Sequence, residues 1–283
     1  MKMIVVITGA NGQLGTALVE NAPENVEIIP HKREDFDLRD IDTLERFLRE
    51  TAPDIVINTA AFHDTEACET EFEEALFVNA IIPTIMARIL EEIGGIVVFI
   101  STDYVFDGEK RGELYLEDDL PNPLNRYGIS KLAGEVGVSK LSSKFYIFRL
   151  SSLFGKTRKR TGNFVLKIIE KAKKGEPLRV VNDIFMTPTY APDAARRIWE
   201  VLLGDFSPGV YHVSNSGVTS WFDFAKEILR IKGIDKDVMP VSHTEIKTKV
   251  KRPLWSPLGS KYLSPLRHWG EALKEYLEVE SWT

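Results

Sequence analysis

Thr8-Gly9-Ala10-Asn11-Gly12-Gln13-Leu14-Gly15 follows directly on the apolar run Met3–Thr8 and opens a segment of helical spacing, Gln13–Asn21. Glycines at i, i+3 and i+6 let the chain turn sharply and bring backbone N–H groups against a pyrophosphate. The last one lets helix and strand pack closely. The helix N-terminus adds its partial positive charge. A glycine triplet alone is weak evidence, but between a strand and a helix it has the context a dinucleotide site requires.

Outward from this loop the chain alternates. Short β-branched runs lie at Val26–Pro30, Asp54–Thr59, Ile96–Ser101 and Phe145–Leu150, separated by helical spacing at Ile41–Glu50, Glu71–Ile93 and Arg126–Leu141. Strands that read as continuous apolar runs belong to a sheet buried on both faces. Strict alternation predicts an α/β fold, a Rossmann-type doubly wound parallel sheet. Pro83 predicts a kink or break in the third helical segment. After Ser151 the rhythm changes: helices are predicted at Thr161–Lys174, Tyr190–Leu203, Trp221–Ile231 and Leu266–Val279. Strands are predicted at Leu178–Val181 and Gly209–Ser214, with a Pro-rich stretch from Pro240 to Pro265. The expected organisation is a nucleotide-cofactor domain over 1–150, to which 190–213 returns. A smaller, partly interleaved C-terminal substrate lobe is expected from 151–189 and 214–283.

The 283 residues are 43% hydrophobic and 28% charged, ordinary for a globular chain with a substantial core. A net charge of −6 gives no nucleic-acid footprint. Cys68 is the single cysteine, so no internal disulfide can form and a reducing compartment fits. Met3–Thr8 is too short for a signal segment, and no run approaches the roughly 18 apolar residues of a membrane span. The expectation is a cytoplasmic protein with no nucleic-acid or membrane partner. His63, Asp64, Glu66, Cys68 and Glu69 crowd together in sequence without metal-ligand spacing, and no metal is expected.

Tyr127-Gly128-Ile129-Ser130-Lys131 carries the chemistry. An i, i+4 pair shares a helix face, so the ammonium sits beside the phenol. A free phenol, with a pKa of about 10, exchanges protons poorly at neutral pH, and a neighbouring cation is expected to lower it. Thr102, at the end of the fourth strand, places a hydroxyl where open α/β sheets bind ligands. At the end of the second strand, Pro30-His31-Lys32-Arg33 favours NADP(H), with NAD(H) the alternative.

The spacing of Gly9, Gly12 and Gly15 resembles the extended short-chain dehydrogenases/reductases. Ser101–Phe106, Pro123–Gly128, Lys131–Glu135, Arg149, Gly162-Asn163-Phe164, Asn182-Asp183, Pro188-Thr189 and Arg252-Pro253 narrow it, resembling the dTDP-4-dehydrorhamnose reductase family. That resemblance implies C4 reduction of a nucleotide-diphospho-4-keto-6-deoxy sugar, most directly dTDP-4-dehydrorhamnose to dTDP-L-rhamnose. It implies that Gly9, Gly12, Gln13, Leu14 and Gly15 meet the cofactor pyrophosphate, Asp37 and Leu38 the adenine, and Ala60, Ala61 and Phe62 the cofactor beyond the third strand. Tyr127 would protonate the sugar oxygen, Lys131 hold the nicotinamide ribose, and Thr102 and Asp103 hydrogen-bond the sugar. Ser152, Asn163, Phe164 and Arg252 would complete the substrate site. A homodimer is compatible with the family, although the residue pattern is silent on it.

The substrate side departs from the family. Ser152 stands where a Trp usually packs on the sugar, and Ile184 and Met186 replace a Gln and a Gly. Phe185 or Met186 is the expected compensation; a different sugar nucleotide is the alternative. The runs Lys156–Arg160 and Lys247–Arg252 read as solvated loops or as diphosphate contacts. Two rival functions share the scaffold: a sugar-nucleotide epimerase, and a catalytically silent regulatory subunit like that accompanying a methionine adenosyltransferase.

Overall fold

The computed structural model describes residues 2–156 and 162–279. Six parallel strands form the central sheet: β1 (Met3–Thr8), β2 (Val26–His31), β3 (Ile55–Asn58), β4 (Ile96–Thr102), β5 (Phe145–Leu150) and, from much later in the chain, β10 (Gly209–His212). Their order is β10-β5-β4-β3-β1-β2, so the direction of winding reverses between β1 and β3. Thr8 is level with both His31 and Asn58, which brings the carboxyl ends of three strands to one crevice. Open α/β sheets bind ligands at such a switch point.

The sheet is buried on both faces because successive residues point opposite ways. Val5 and Ile7 join a core with Leu14, Leu18, Ile198 and Trp199, from α1 (Gln13–Glu20) and α8 (Ala191–Leu203). Val6 and Val56 join the opposite core with Leu44, Met86 and Phe99. Its helices are α2 (Ile41–Thr51), α5 (Ile82–Ile93) and α6 (Arg126–Leu141).

Glu71–Ile93 is not one kinked helix. Helix α4 (Phe72–Leu76) passes through a π-helical turn at Phe77–Ile81 into α5, with Pro83 in the first turn of α5. Pro83 has no N–H to donate, and the wider turn before it accommodates that without a break. A short helix, α3 (Thr65–Thr70), precedes α4 and was not expected; the Asp64 carboxylate caps it by accepting from Glu66 and Ala67 N–H.

The remaining elements build a second core. Strands β6 (Leu153–Phe154) and β9 (Thr189–Tyr190) pair, as do β7 (Leu178–Val181) with β13 (Val238–Val241), β8 (Phe185–Met186) with β12 (Thr219–Ser220), and β11 (Asn215–Ser216) with β14 (Leu266–His268). Helices α7 (Phe164–Lys173), α9 (Trp221–Lys232) and α10 (Trp269–Val279) enclose Phe154, Ile168, Phe224, Leu273 and Tyr276. One expectation is corrected: Leu266–His268 pairs with β11 instead of opening the last helix. At the start of the Pro-rich stretch, Pro240 lies within β13. It is tolerated there because β13 is an edge strand of a two-stranded pair. Among the described residues no helix is long and apolar enough to cross a membrane.

Candidate active site

Gly9 has φ +67°, and a Cβ there would lie 2.9 Å from Ala60 N. A Cβ on Gly15 would lie 2.4 Å from Gly9 O and 2.7 Å from Ala10 Cα, so α1 can sit this close to β1 only with glycine there. Gly12 is the N-cap of α1, and no side chain caps that helix. Beside this loop is a cleft of about 1260 Å³, lined among others by Gly9, Arg33, Asp37, Leu38, Ala60, Ala61 and Phe62. Leu14 points the other way, buried in the core, so that residue can offer a ligand only its backbone. Phe62 is pinned by Asn79, which accepts from Phe62 N–H (2.9 Å) and donates to Phe62 O (2.9 Å) and Ser130 Oγ (2.9 Å). Asn79 is fully buried. Nothing in its local sequence marks it as the clamp on the cofactor wall.

The Arg39 guanidinium forks onto Asp37 and also reaches Glu74 at 2.8 Å. It holds the Asp37 carboxyl down at about 2. Arg33 lies 3.5 Å from Asp37, with its side chain 78% exposed along the cleft.

Across the crevice, α6 starts at a cap built by Asn125, whose Oδ1 accepts from Gly128 N–H at 2.8 Å. A Cβ on Gly128 would lie 2.2 Å from Tyr104 O, and one on Gly134 2.3 Å from Asn79 O. These glycines allow α6 to press its Tyr127 and Lys131 against the end of β4. The Tyr127 ring meets Tyr104 edge-on at 6.0 Å, and the Thr102 hydroxyl is close to its own. Lys131 is buried, with Nζ 4.1 Å from the centre of the Phe99 ring.

The electrostatics correct the expectation that Lys131 lowers the Tyr127 pKa. Burial pushes the Tyr127 hydroxyl well above the usual phenol range, and the Asp103 carboxylate adds to the rise, opposed by the nearby Thr102 hydroxyl. Burial also pulls Lys131 down from 10.5 to about 7, opposed by Glu135 one turn on. Desolvation, a product of the fold, outweighs the pairing visible in the sequence.

Asp103 was expected to meet the sugar. Its carboxylate instead accepts from Thr102 Oγ (3.1 Å), Ser151 Oγ (3.0 Å) and Ser256 Oγ (2.6 Å), and it is buried. Burial raises it to about 6 against these three hydroxyls. Asn163 is likewise engaged within the protein. It caps α7, and its amide donates to Gln13 Oε1 (3.1 Å), Gly155 O (2.8 Å) and Tyr276 Oη (3.0 Å). This ties the start of α1 to the lobe.

A second cavity of about 790 Å³ lies between β4 and the lobe. Tyr104, Phe164, Ile184, Trp221 and Arg252 line it, along with Lys167, Lys171, Arg179 and Lys247. Phe164 and Trp221 pack edge-on at 4.6 Å and supply the aromatic wall. Neither residue proposed as compensation does so: Met186 is in the lobe core, and Phe185 packs on Trp255. Trp221 had no sequence signal separating it from a core aromatic. Ser152 adopts φ +44° and precedes β6 without lining the cavity. Arg252 is held by Glu66 (3.3 Å) and Thr248 (3.0 Å), so it straps the C-terminal segment to α3. Glu69 pairs with Arg126, and the buried Cys68 thiol, pushed up to about 11, donates to Phe62 O. Lys156 pairs with Glu20; Thr157–Arg160 of the basic run lie outside the described residues.

Tyr127 adjoins both linings: it follows Arg126 of the first cavity and packs on Tyr104 of the second. Comparison with known proteins agrees with this geometry. The pattern of the RmlD substrate binding domain family matches residues 1–281. The spore coat polysaccharide biosynthesis protein SpsK of Bacillus subtilis is 36% identical over 282 residues, 98% of each chain. A dTDP-4-dehydrorhamnose reductase of Burkholderia thailandensis is 32% identical over 294 residues, 98% of this chain and 94% of that one. The crystal structure of dTDP-4-dehydrorhamnose reductase from Bacillus anthracis in complex with NADP superposes with a TM-score of 0.94 at 36% identity, covering 99% of this chain and 100% of that one.

Proposed function

Because the chain belongs to the dTDP-4-dehydrorhamnose reductase family, we propose that it reduces the C4 keto group of a nucleotide-diphospho-4-keto-6-deoxy sugar with NADPH, forming dTDP-L-rhamnose from dTDP-4-dehydrorhamnose. The observation that carries this is the Tyr127–Thr102 pair, adjoining a glycine-lined cleft and a basic, aromatic one. A side chain at Gly9 or Gly15 would strike neighbouring backbone, so these glycines permit the tight strand-to-helix turn that a pyrophosphate loop needs. We assign cofactor binding to residues 1–150 with 190–213, and sugar-nucleotide binding to 151–189 with 214–283. The reaction belongs in the cytoplasm, where both small molecules circulate.

When bound, NADPH would supply the hydride for C4. Backbone N–H groups from Gly12 to Leu14 would hold its pyrophosphate, Ala60–Phe62 its mid-section, and Asp37 with Leu38 the adenine. Arg33 and Arg39 suit a 2′-phosphate, since guanidinium forks match phosphate oxygens. Lys131 would donate to the ribose hydroxyls. Tyr127 holds the proton that the C4 oxygen needs as negative charge develops there. Its elevated pKa keeps that proton in place at neutral pH until an oxygen of comparable basicity appears. Thr102 offers a second hydroxyl to the same oxygen, a preplaced dipole of the kind that stabilises a transition state more than a ground state. Phe164 and Trp221 supply apolar faces for the nucleotide-sugar, with Lys167, Lys171 and Arg252 toward its diphosphate.

Stopped-flow NADPH oxidation with dTDP-4-dehydrorhamnose tests this reading. Rapid loss of NADPH absorbance with rhamnose-nucleotide product is expected; no turnover on any 4-keto sugar nucleotide overturns it.

A further inference from the structure

Thr102 has one proton and spends it on Asp103 Oδ1, while its oxygen accepts from Tyr104 N–H at 3.2 Å. While that bond is made, Thr102 has no proton left to offer Tyr127 or a sugar oxygen. To donate to a sugar oxygen, Thr102 must let go of Asp103. A carboxylate this deeply buried cannot lose a partner unless others keep it satisfied.

Those others are in place. Ser151 and Ser256 both donate to Oδ2, the oxygen Thr102 does not use, and each is at most 2% exposed. Ser151 is fixed through its carbonyl, which accepts from Thr189 Oγ at 2.6 Å. Ser256 comes from 153 residues further along the chain and is fixed by its N–H to Phe185 O at 3.0 Å. Phe185 in turn donates to Leu254 O at 2.9 Å.

Resting on the reductase reading, we propose that Ser256 is a positioning residue for the reaction. With Ser151 it holds Asp103 Oδ2, so that Oδ1 can hold the Thr102 hydroxyl and release it to the sugar oxygen. The C-terminal segment thereby completes the catalytic centre as well as walling the cleft. The titratable groups that feel Asp103 are Tyr104 in the same turn and Tyr127 on α6, with Arg252 bearing on Tyr104 from the C-terminal segment. Each serine bond lowers the Asp103 pKa, so losing one must raise it above its present value of about 6.

The test compares wild type, Ser256→Ala, Ser256→Thr and Ser151→Ala, using NADPH binding by fluorescence to show that each is folded. Wild-type turnover of dTDP-4-dehydrorhamnose tests the reductase reading separately, before any variant is compared. For Ser256→Ala we expect kcat to fall roughly tenfold or more, the KM for the sugar nucleotide to change little, and the acid limb of the kcat–pH profile to move to higher pH. Ser256→Thr, which keeps the hydroxyl, should recover most of kcat and return the limb. Ser151→Ala should move the limb the same way, and it carries the test if Ser256→Ala does not bind NADPH. An unmoved acid limb in the alanine variant that folds overturns the proposal. So does a loss confined to KM, or a threonine variant as impaired as alanine.

Discussion

Replacing Lys131 with methionine should make the protein more stable while removing its activity. Lys131 falls from 10.5 when exposed to about 7 in the fold, with burial the main cause. The folded value is the lower one, so between about pH 7 and 10.5 the unfolded chain binds the extra proton. In that window this group's destabilisation is relieved as pH rises; below it the destabilisation is constant. At about 1.4 kcal/mol per pKa unit, the cost is about 4 kcal/mol at pH 7 and about 2 kcal/mol at pH 9. Methionine keeps an unbranched stem against Phe99 and carries no charge to bury. The expected result, from urea unfolding followed by tryptophan fluorescence, is a variant more stable than wild type by roughly 2–4 kcal/mol at pH 7, an advantage shrinking by about 2 kcal/mol at pH 9. NADPH-dependent turnover should drop by about 100-fold or more. A variant no more stable than wild type at pH 7, or a stability difference that ignores pH, would refute the reasoning.

Three further outcomes follow from the same geometry. Tyr127→Phe should bind NADPH normally yet lose about 100- to 10,000-fold in kcat, measured by NADPH oxidation, because only the proton donor is removed. Arg33→Ala should weaken NADPH binding by about tenfold and leave NADH binding unchanged in fluorescence titrations, since its largely exposed guanidinium, only loosely paired with Asp37, can turn to a 2′-phosphate. Gly15→Ala drives a Cβ into Gly9 O and Ala10 Cα, both backbone, so thermal melts should show a loss of about 1–3 kcal/mol together with weakened NADPH binding.

The parts of this protein that could be read from sequence are those set by neighbours along the chain. The apolar runs of β1 to β5, the glycine spacing before α1 and the four-residue step from Tyr127 to Lys131 all repeat a local geometry. The lobe was harder, because β6, β8, β9, β11 and β12 are two-residue pairings with no periodicity to detect. The roles of Trp221, Asn79 and Ser256 were not legible for another reason. Each acts on a partner far away in sequence, and a tryptophan, an asparagine or a serine looks alike whether it lines a cleft or fills a core. The Tyr127 and Lys131 pKa directions failed similarly: adjacency was legible, but the burial that outweighs it is a property of the folded chain.

That distinction also explains where the substrate side of the site moved. A serine at position 152, with φ +44° and no place in the second cavity, leaves the β5 side without the aromatic the family usually carries there. The rings that line the cavity come from Tyr104, and from Phe164 and Trp221 on α7 and α9, so the aromatic wall has shifted largely onto the lobe. The Ser256 bond to Asp103 joins that same lobe to the end of β4, and Asn163 joins it to Gln13 at the glycine loop. Sugar recognition and the alignment of Thr102 then depend on one body seating correctly against the sheet. A substitution at Phe185, which lines neither cavity but whose carbonyl seats Ser256, should therefore lower kcat through Ser256 and Thr102 before it alters NADPH affinity.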